Sequence, residues 1–411
     1  MKKYIPRQIE KTLLRVAAQF PSVVVSGPRQ SGKSTLLRHL FSKKYSYATL
    51  DDPLTREKAI SDPKMFIESV GEKAIIDEIQ YAPQLASYIK IAIDQNRDRK
   101  GYFLLTGSQQ FTMIKNLGDS LAGRIALLDL LPLSYEEKKR VGLIFGASMG
   151  QSGFLHACLK GSYPEMAINP KMDRQRWYSS YLGTYLERDV RGVYDIGNLR
   201  DFQRFIQMLA SRTAQILNLS SLSGDIGVSV NTVKKWISVL EASHIIFLLS
   251  PYFESFGKRI TKSPKIYFLD SGFACYLTGI ADRGQLMRGP MAGALFETFC
   301  IQETVKMLVN RGVRPDIYYL RTNNGLEIDL IIRANGGRLY PFEVKMTQTP
   351  NAFMAGAFHK YKSLFPKLRI APGRIIYLGA QNIQLSRDSW AVSFDSYMDL
   401  LLTSKNLDRY A

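Results

Sequence analysis

Cysteine is scarce in this chain. Cys158, Cys275 and Cys300 are the three among 411 residues, and they lie far apart. That spacing excludes a disulfide framework and a thiolate zinc site, and so few thiols are expected of a protein kept in a reducing cytoplasm. Long apolar runs are missing as well: no segment approaches the roughly 18 residues that a membrane span needs. The first ten residues, Met1 to Glu10, are basic but lead into no apolar stretch, so neither a secretory signal nor a membrane partner is expected. Repeats and low-complexity tracts are absent too, and 45% hydrophobic with 22% charged residues is ordinary globular composition.

Acidic residues are in deficit. Asp and Glu number 36 against 55 Lys and Arg, which leaves a formal net charge of +19 and a pI of about 9.7. A surface of that sign attracts polyanions, with nucleic acid the leading partner and a merely solubilising surface the bland alternative. Phosphate attraction by itself does not separate DNA from RNA. At this length the chain divides into two or three units, because single cores stop growing beyond about 250–300 residues.

Against these absences stands one run, Gly27-Pro28-Arg29-Gln30-Ser31-Gly32-Lys33-Ser34-Thr35, directly behind the apolar Val23-Val24-Val25. It fills the pattern G-x-x-x-x-G-K-[ST]. A buried strand would end at Gly27, backbone N–H groups of the loop would cradle a phosphate chain, and the helix starting near Lys33 would point its positive end at the same anion. Lys33 then reaches the β- and γ-phosphates of ATP and Ser34 holds Mg²⁺. The first third alternates strands with helices, an α/β pattern that implies a parallel sheet covered on both faces. Lys73 to Gln80 is an apolar strand ending in Asp77-Glu78, placed for Asp77 to bind the Mg²⁺ shell and for Glu78 to polarise an attacking water, although an acidic pair also caps helices. Tyr102 to Ser108 ends in small polar residues that suit either a γ-phosphate sensor or a helix N-cap. Arg124 opens the next strand, Ile125 to Leu131; it suits an arginine finger, acting in cis or across a homo-oligomer interface, or a surface salt bridge.

Together with Ile5-Pro6-Arg7, Leu50-Asp51-Asp52, Leu121 to Arg124 and Leu131 to Ser134, these segments resemble a bacterial and archaeal family of AAA-type P-loop ATPases with a C-terminal domain of unknown function. Tyr163-Pro164-Glu165, Tyr185 to Val190, Pro264 to Asp270 and Phe342 to Lys345 are similar to that family's later phrases, in the same order. The resemblance implies an AAA-type ATPase domain over 1–140, a helical connector over 141–200, a winged helix over 201–280 and a restriction-endonuclease-like α/β domain over 281–411.

The middle of the chain carries its own signal. Leu219 to Ile226 reads as a short helix, Gly227-Val228-Ser229 as a turn, and Val230 to Ala242 as a second helix with Val233, Trp236, Ile237 and Leu240 inward. Asn231, Thr232, Lys234 and Lys235 would face a DNA groove, unless the module serves protein contacts. Ile245 to Leu249 and Lys265 to Leu269 would pair as the wing. Arg174, Arg176, Arg188, Arg191 and Arg200 are interleaved with Trp177, Tyr178, Tyr181 and Tyr185, a spacing more typical of core packing than of base stacking.

Near the end, strands are expected at Tyr318 to Arg321, Glu327 to Ile332 and Leu339 to Met346. Glu343 and Lys345 share one face while Phe342, Val344 and Met346 turn to the core. Asp329 with Glu343-Val344-Lys345 resembles the D…(E/D)-x-K core of restriction-endonuclease-like nucleases, and Glu297 occupies the place of the extra helix carboxylate in Holliday-junction resolvase-like members. Glu297, Asp329 and Glu343 would bind Mg²⁺ and Lys345 would position the nucleophile. Alternating charge on a half-exposed strand gives the same pattern without chemistry. The expectation is an Mg²⁺-dependent ATPase working on DNA rather than RNA, with a nucleotide-gated switch binding a protein partner as the alternative.

Overall fold

The computed structural model describes residues 4–107, 121, 123–144, 149–186, 198–252, 262–334 and 336–403. Strands β1 (Ser22–Ser26), β2 (Ser46–Thr49), β3 (Ala74–Asp77), β4 (Phe103–Thr106) and β5 (Ile125–Asp129) form a parallel sheet in the order β2-β3-β4-β1-β5. The pattern of β1 explains its central place. Ser-Val-Val-Val-Ser is buried at every position, as a strand covered on both faces must be. Val24 joins Ile76 and Leu105 in one core, while Val23 and Val25 join Ile75 and Leu104 in another, so alternate residues of the same strands fill opposite faces. The sheet is as expected.

A second core begins beside the first sheet and gathers described residues from Leu131 to Leu401. Trp177, Tyr178, Tyr181 and Tyr185, on the helix Arg174–Tyr185, are buried in it, which makes these aromatics packing residues. Arg174 donates to the carbonyls of Cys158 and Ile280, whereas Arg176 and Arg200 are exposed. Arg188 and Arg191 lie outside the described residues. The helices Leu219–Ile226 and Val230–Ala242 are joined by a turn in which Gly227 has φ +82° and Ser229 caps the second helix by accepting from Thr232 N. Val233, Trp236, Ile237 and Leu240 point inward as anticipated, while Asn231, Lys234 and Lys235 face solvent. β6 (Ile246–Leu249) and β7 (Lys265–Phe268) pair antiparallel behind them.

The last sheet holds β8 (Ile317–Arg321), β9 (Glu327–Arg333), β10 (Leu339–Lys345), β11 (Gly373–Tyr377), β12 (Ile383–Ser386) and β13 (Ser389–Ser393), in the order β12-β13-β11-β10-β9-β8. It is mixed: β8, β9 and β10 run antiparallel, whereas β10 pairs β11 and β11 pairs β13 in parallel. β10 departs from the half-exposed strand that its alternating charge suggested. Leu339 to Val344 are all buried, Glu343 included, because both faces of the strand are covered: Tyr340, Phe342 and Val344 join the core of the helix Ala292–Asn310, and Leu339 joins Phe358 and Tyr361 of the helix Gly356–Leu364. The unit is therefore α/β throughout, and its carboxylates sit inside it.

Candidate nucleotide site and carboxylate–lysine cluster

The loop after β1 has the geometry that its glycines predict. At Gly27, φ is +142° and a Cβ would come within 2.2 Å of the Leu130 carbonyl oxygen, so no side chain fits there. Gly32, at φ +97°, turns the chain into the helix Lys33–Phe41. Lys33 is buried and its Nζ donates to the carbonyls of Gly27 (2.9 Å) and Pro28 (3.1 Å), folding the ammonium back over the loop. Ser34 Oγ donates to Asp77 Oδ1 at 2.8 Å. Asp77 also accepts from Tyr47 (2.8 Å) and from Thr106, whose hydroxyl in turn accepts from Glu78 N at 3.1 Å. Burial and the Asp77 carboxylate push the Tyr47 phenol up to about 12, which keeps it a donor.

Glu78 is left-handed, with φ 58° and ψ 49°. For a residue bearing a side chain that conformation is strained, and strain of this kind collects at working sites. Its carboxylate accepts from Gln80 Nε2. Lys33, Ser34 and Glu78 line a cavity of about 450 Å³, to which the helix Arg174–Tyr185 adds Tyr181 and Thr184 from the second core. A hydroxyl and a carboxylate held together beside a cradle of N–H groups are oxygen donors suited to Mg²⁺, so the residues fit that ion. Thr106 occupies the predicted sensor strand; Ser108 lies outside the described residues.

Arg124 stands elsewhere. Its carbonyl accepts from Ser22 N, at the start of β1, whereas the phosphate loop leaves the end of the same strand. The guanidinium is clamped by Asp94, through Nε at 2.7 Å and Nη2 at 3.0 Å. The whole length of β1 therefore separates Arg124 from the nucleotide cavity of its own chain.

Two buried groups brace the loop from behind. Arg7 donates to the carbonyls of Ser31 (2.8 Å) and Leu131 (2.6 Å) and pairs with Glu137 at 3.0 Å. His244, at φ 54° in the turn after the helix Val230–Ala242, sets its Nε2 3.5 Å from both Ser26 Oγ and Asp129 Oδ1. The second core thus touches the ends of β1 and β5 directly under the loop.

In the C-terminal unit, Glu297, Asp329, Glu343 and Lys345 do converge. Lys345 Nζ lies 2.7 Å from Glu343 Oε2 and 3.9 Å from Asp329 Oδ2, and Asp329 accepts from Val344 N at 2.9 Å. A residue that the sequence did not single out joins them: Lys265 Nζ, from β7, lies 3.0 Å from Glu297, 2.7 Å from Glu327 and 3.6 Å from Asp329. Burial pulls this ammonium down, but Glu297, Asp329 and Glu327 outweigh it and hold it above its ordinary range. Among the described residues no three carboxylate, imidazole or thiolate groups are disposed to hold a metal ion. As folded, then, the cluster does not fit the Mg²⁺ expected of Glu297, Asp329 and Glu343, because a lysine stands among the first two.

Family comparisons assign the parts. Residues 19–139 match the AAA domain, 151–284 a domain of unknown function (DUF8612), and 292–397 a second domain of unknown function (DUF4143). The chain thus carries an AAA-type P-loop ATPase domain followed by a C-terminal DUF4143 domain. Uncharacterized protein Rv2008c of Mycobacterium tuberculosis is 29% identical over 98% of this chain and 86% of its own. Uncharacterized protein MJ1544 of Methanocaldococcus jannaschii is 21% identical over 69% of this chain and 68% of its own. Of solved structures, the Walker-type ATPase of Pyrococcus abyssi aligns at 16% identity, TM-score 0.44, over 66% of this chain and 94% of that one. Among the described residues no helix is long and apolar enough to cross a membrane.

The ATPase domain leans on residues that the sequence left unmarked. Tyr47 and His244 belong to no short motif and approach the site only through sheet order and interdomain packing. Lys265 sits inside a recognisable phrase, Pro264 to Asp270, but nothing local pairs it with carboxylates more than thirty residues on. His244 carries a pH prediction. Burial lowers its imidazole, Asp129 partly opposes this, and Lys33 reinforces it. A base depressed in the folded state contributes stability that is present above its unfolded value near 6.5 and lost as pH falls below it. Between pH 7.5 and 5.5 the unfolding free energy of the wild type, read from urea titrations, is expected to drop, by at most about 1.4 kcal/mol per pH unit below 6.5, and His244→Gln is expected to flatten that loss.

Proposed function

We propose that this protein binds ATP with Mg²⁺ and hydrolyses it, and that the hydrolysis works on or with DNA. The observation that carries the first part is the contact set around Asp77: Ser34, Tyr47 and Thr106 on one carboxylate, with Lys33 and the strained Glu78 lining the same cavity. Lys33 is the ligand of the β- and γ-phosphates, the backbone from Gly27 to Thr35 their cradle, and Ser34 with Asp77 the oxygen set for Mg²⁺. When bound, that ion offsets the negative charge of the phosphate oxygens. Glu78 takes the proton of the attacking water, with Gln80 holding its carboxylate in aim. Arg124 acts in trans, in a homo-oligomer, since its own cavity is a full strand away.

DNA rests on charge and on one surface. The chain carries +19, and the two helices around Gly227 present Asn231, Lys234 and Lys235 to solvent at the place where a winged helix meets a groove. In this reading 1–140 is the motor, 141–200 the connector, 201–280 the winged helix and 281–411 a nuclease-like unit. The Lys265 contacts favour a second reading for that last unit: it grips nucleic acid or a protein partner without cutting. ATP turnover measured with and without single-stranded, duplex and branched DNA tests the proposal. Stimulation by DNA is expected, and Lys234→Glu with Lys235→Glu should weaken binding and reduce the salt slope by about two. Turnover indifferent to every DNA would end the DNA part of the reading.

A further inference from the structure

Four carboxylates and two ammonium groups meet where β7, β9, β10 and the helix Ala292–Asn310 come together. We propose that the Lys265 ammonium is the resident cation among Glu297, Glu327 and Asp329, and so occupies the helix-carboxylate side of the place where a D…E-x-K nuclease would hold its divalent ion. The cluster then latches the β6–β7 hairpin onto the C-terminal sheet and binds no metal.

Lys265 comes from outside the sheet that carries the carboxylates. Its side chain is 3% exposed, and its Nζ is within 3.6 Å of Glu297, Glu327 and Asp329. Tyr267, two residues further on the same face of β7, donates to Glu297 Oε1 at 2.5 Å. The hairpin is also joined to β8 by backbone. Tyr252 N donates to Tyr319 O at 2.7 Å, Tyr319 N donates to Ser250 O at 3.1 Å, and the Tyr319 hydroxyl reaches Ser263 O. The Tyr319 ring lies 5.6 Å from Lys265 Nζ. Packing and pairing thus deliver one ammonium into one hole.

Charge balance weighs a metal against protons. Glu297, Glu327, Asp329 and Glu343 face Lys265, Lys345 and Arg321, whose guanidinium lies 3.6 Å from Glu327, and so leave one negative charge, less than a divalent ion would bring. Glu343 Oε1 is buried without a hydrogen-bond partner, the one feature that asks for a further cation. A proton answers it equally well. Burial first, then the Asp329 charge, pushes Glu343 well up and Glu297 up to about 7, against the pull of the lysines.

Mn²⁺ binding to the full chain without nucleotide, read as loss of the free-ion electron paramagnetic signal, tests this independently of ATP hydrolysis. Wild type and Glu343→Gln should bind Mn²⁺ alike. Lys265→Met should gain a site about tenfold or more tighter than any in the wild type, and the double variant Lys265→Met/Asp329→Asn should lose it. Lys265→Arg keeps the charge and should gain nothing. A wild-type Mn²⁺ site removed by Glu343→Gln while Lys265 is in place overturns the proposal, as does a folded Lys265→Met that gains no site. The wild-type comparison decides alone if Lys265→Met does not fold.

Discussion

Glu78→Gln is expected to slow ATP hydrolysis by about 10²- to 10⁴-fold while leaving ATP affinity nearly unchanged. Glutamine has the shape of glutamate and can accept the same hydrogen bond from Gln80 by turning its amide, but it cannot take a proton from water. The strained backbone at φ 58° is indifferent to the exchange, and the N–H of residue 78 still meets Thr106. Loss of turnover with retained binding therefore reports chemistry rather than misfolding. Single-turnover rates with a fluorescent ATP analogue separate the two quantities. Turnover equal to wild type would remove Glu78 as the base and leave it a structural turn residue. Lys33→Ala is the contrasting variant, expected to lose binding itself, because the ammonium that now closes on Gly27 and Pro28 is the phosphate ligand in the proposed reading.

Arg124→Ala carries the other large effect. An arginine finger is worth about 10³- to 10⁵-fold in the hydrolytic step, and Arg124 can supply that only to a neighbouring subunit. Mixing decides it. Arg124→Ala subunits keep an intact cavity but lend no arginine, and Glu78→Gln subunits lend the arginine but have no base. Combined, they should recover a substantial part of the activity that each lacks alone. No recovery at any ratio, with oligomers present by sedimentation, would reduce Arg124 to the partner of Asp94. That ion pair is solvent-screened and contributes little to stability, so Arg124→Ala should melt near the wild-type temperature.

The candidate nucleotide site was legible in the sequence because its parts are local. A phosphate loop needs consecutive residues with fixed backbone demands, and Gly27, Gly32, Lys33 and Ser34 meet them in nine positions. Asp77 and Glu78 were legible for a related reason: parallel strands of one sheet end on one edge, so strand-terminal carboxylates gather there whatever the loops do. The paired helices near Gly227 were legible from their 3.6-residue periodicity. The same local rules left the burial of β10 open, since alternation tells which residues share a face but not what will later cover it.

What the sequence alone determined is therefore the ATPase domain and the identity of its chemical groups. Only the tertiary structure decided that Tyr47 and Thr106 share Asp77, that His244 presses under the phosphate loop, that Arg124 stands at the far end of β1 and that Lys265 sits among the C-terminal carboxylates. The reason is physical. Backbone torsions and apolar periodicity act over a few residues and are written in the order of the chain, whereas a charge finds its partner by distance in space. Lys265 and Glu297 lie thirty-two positions apart and meet at 3.0 Å.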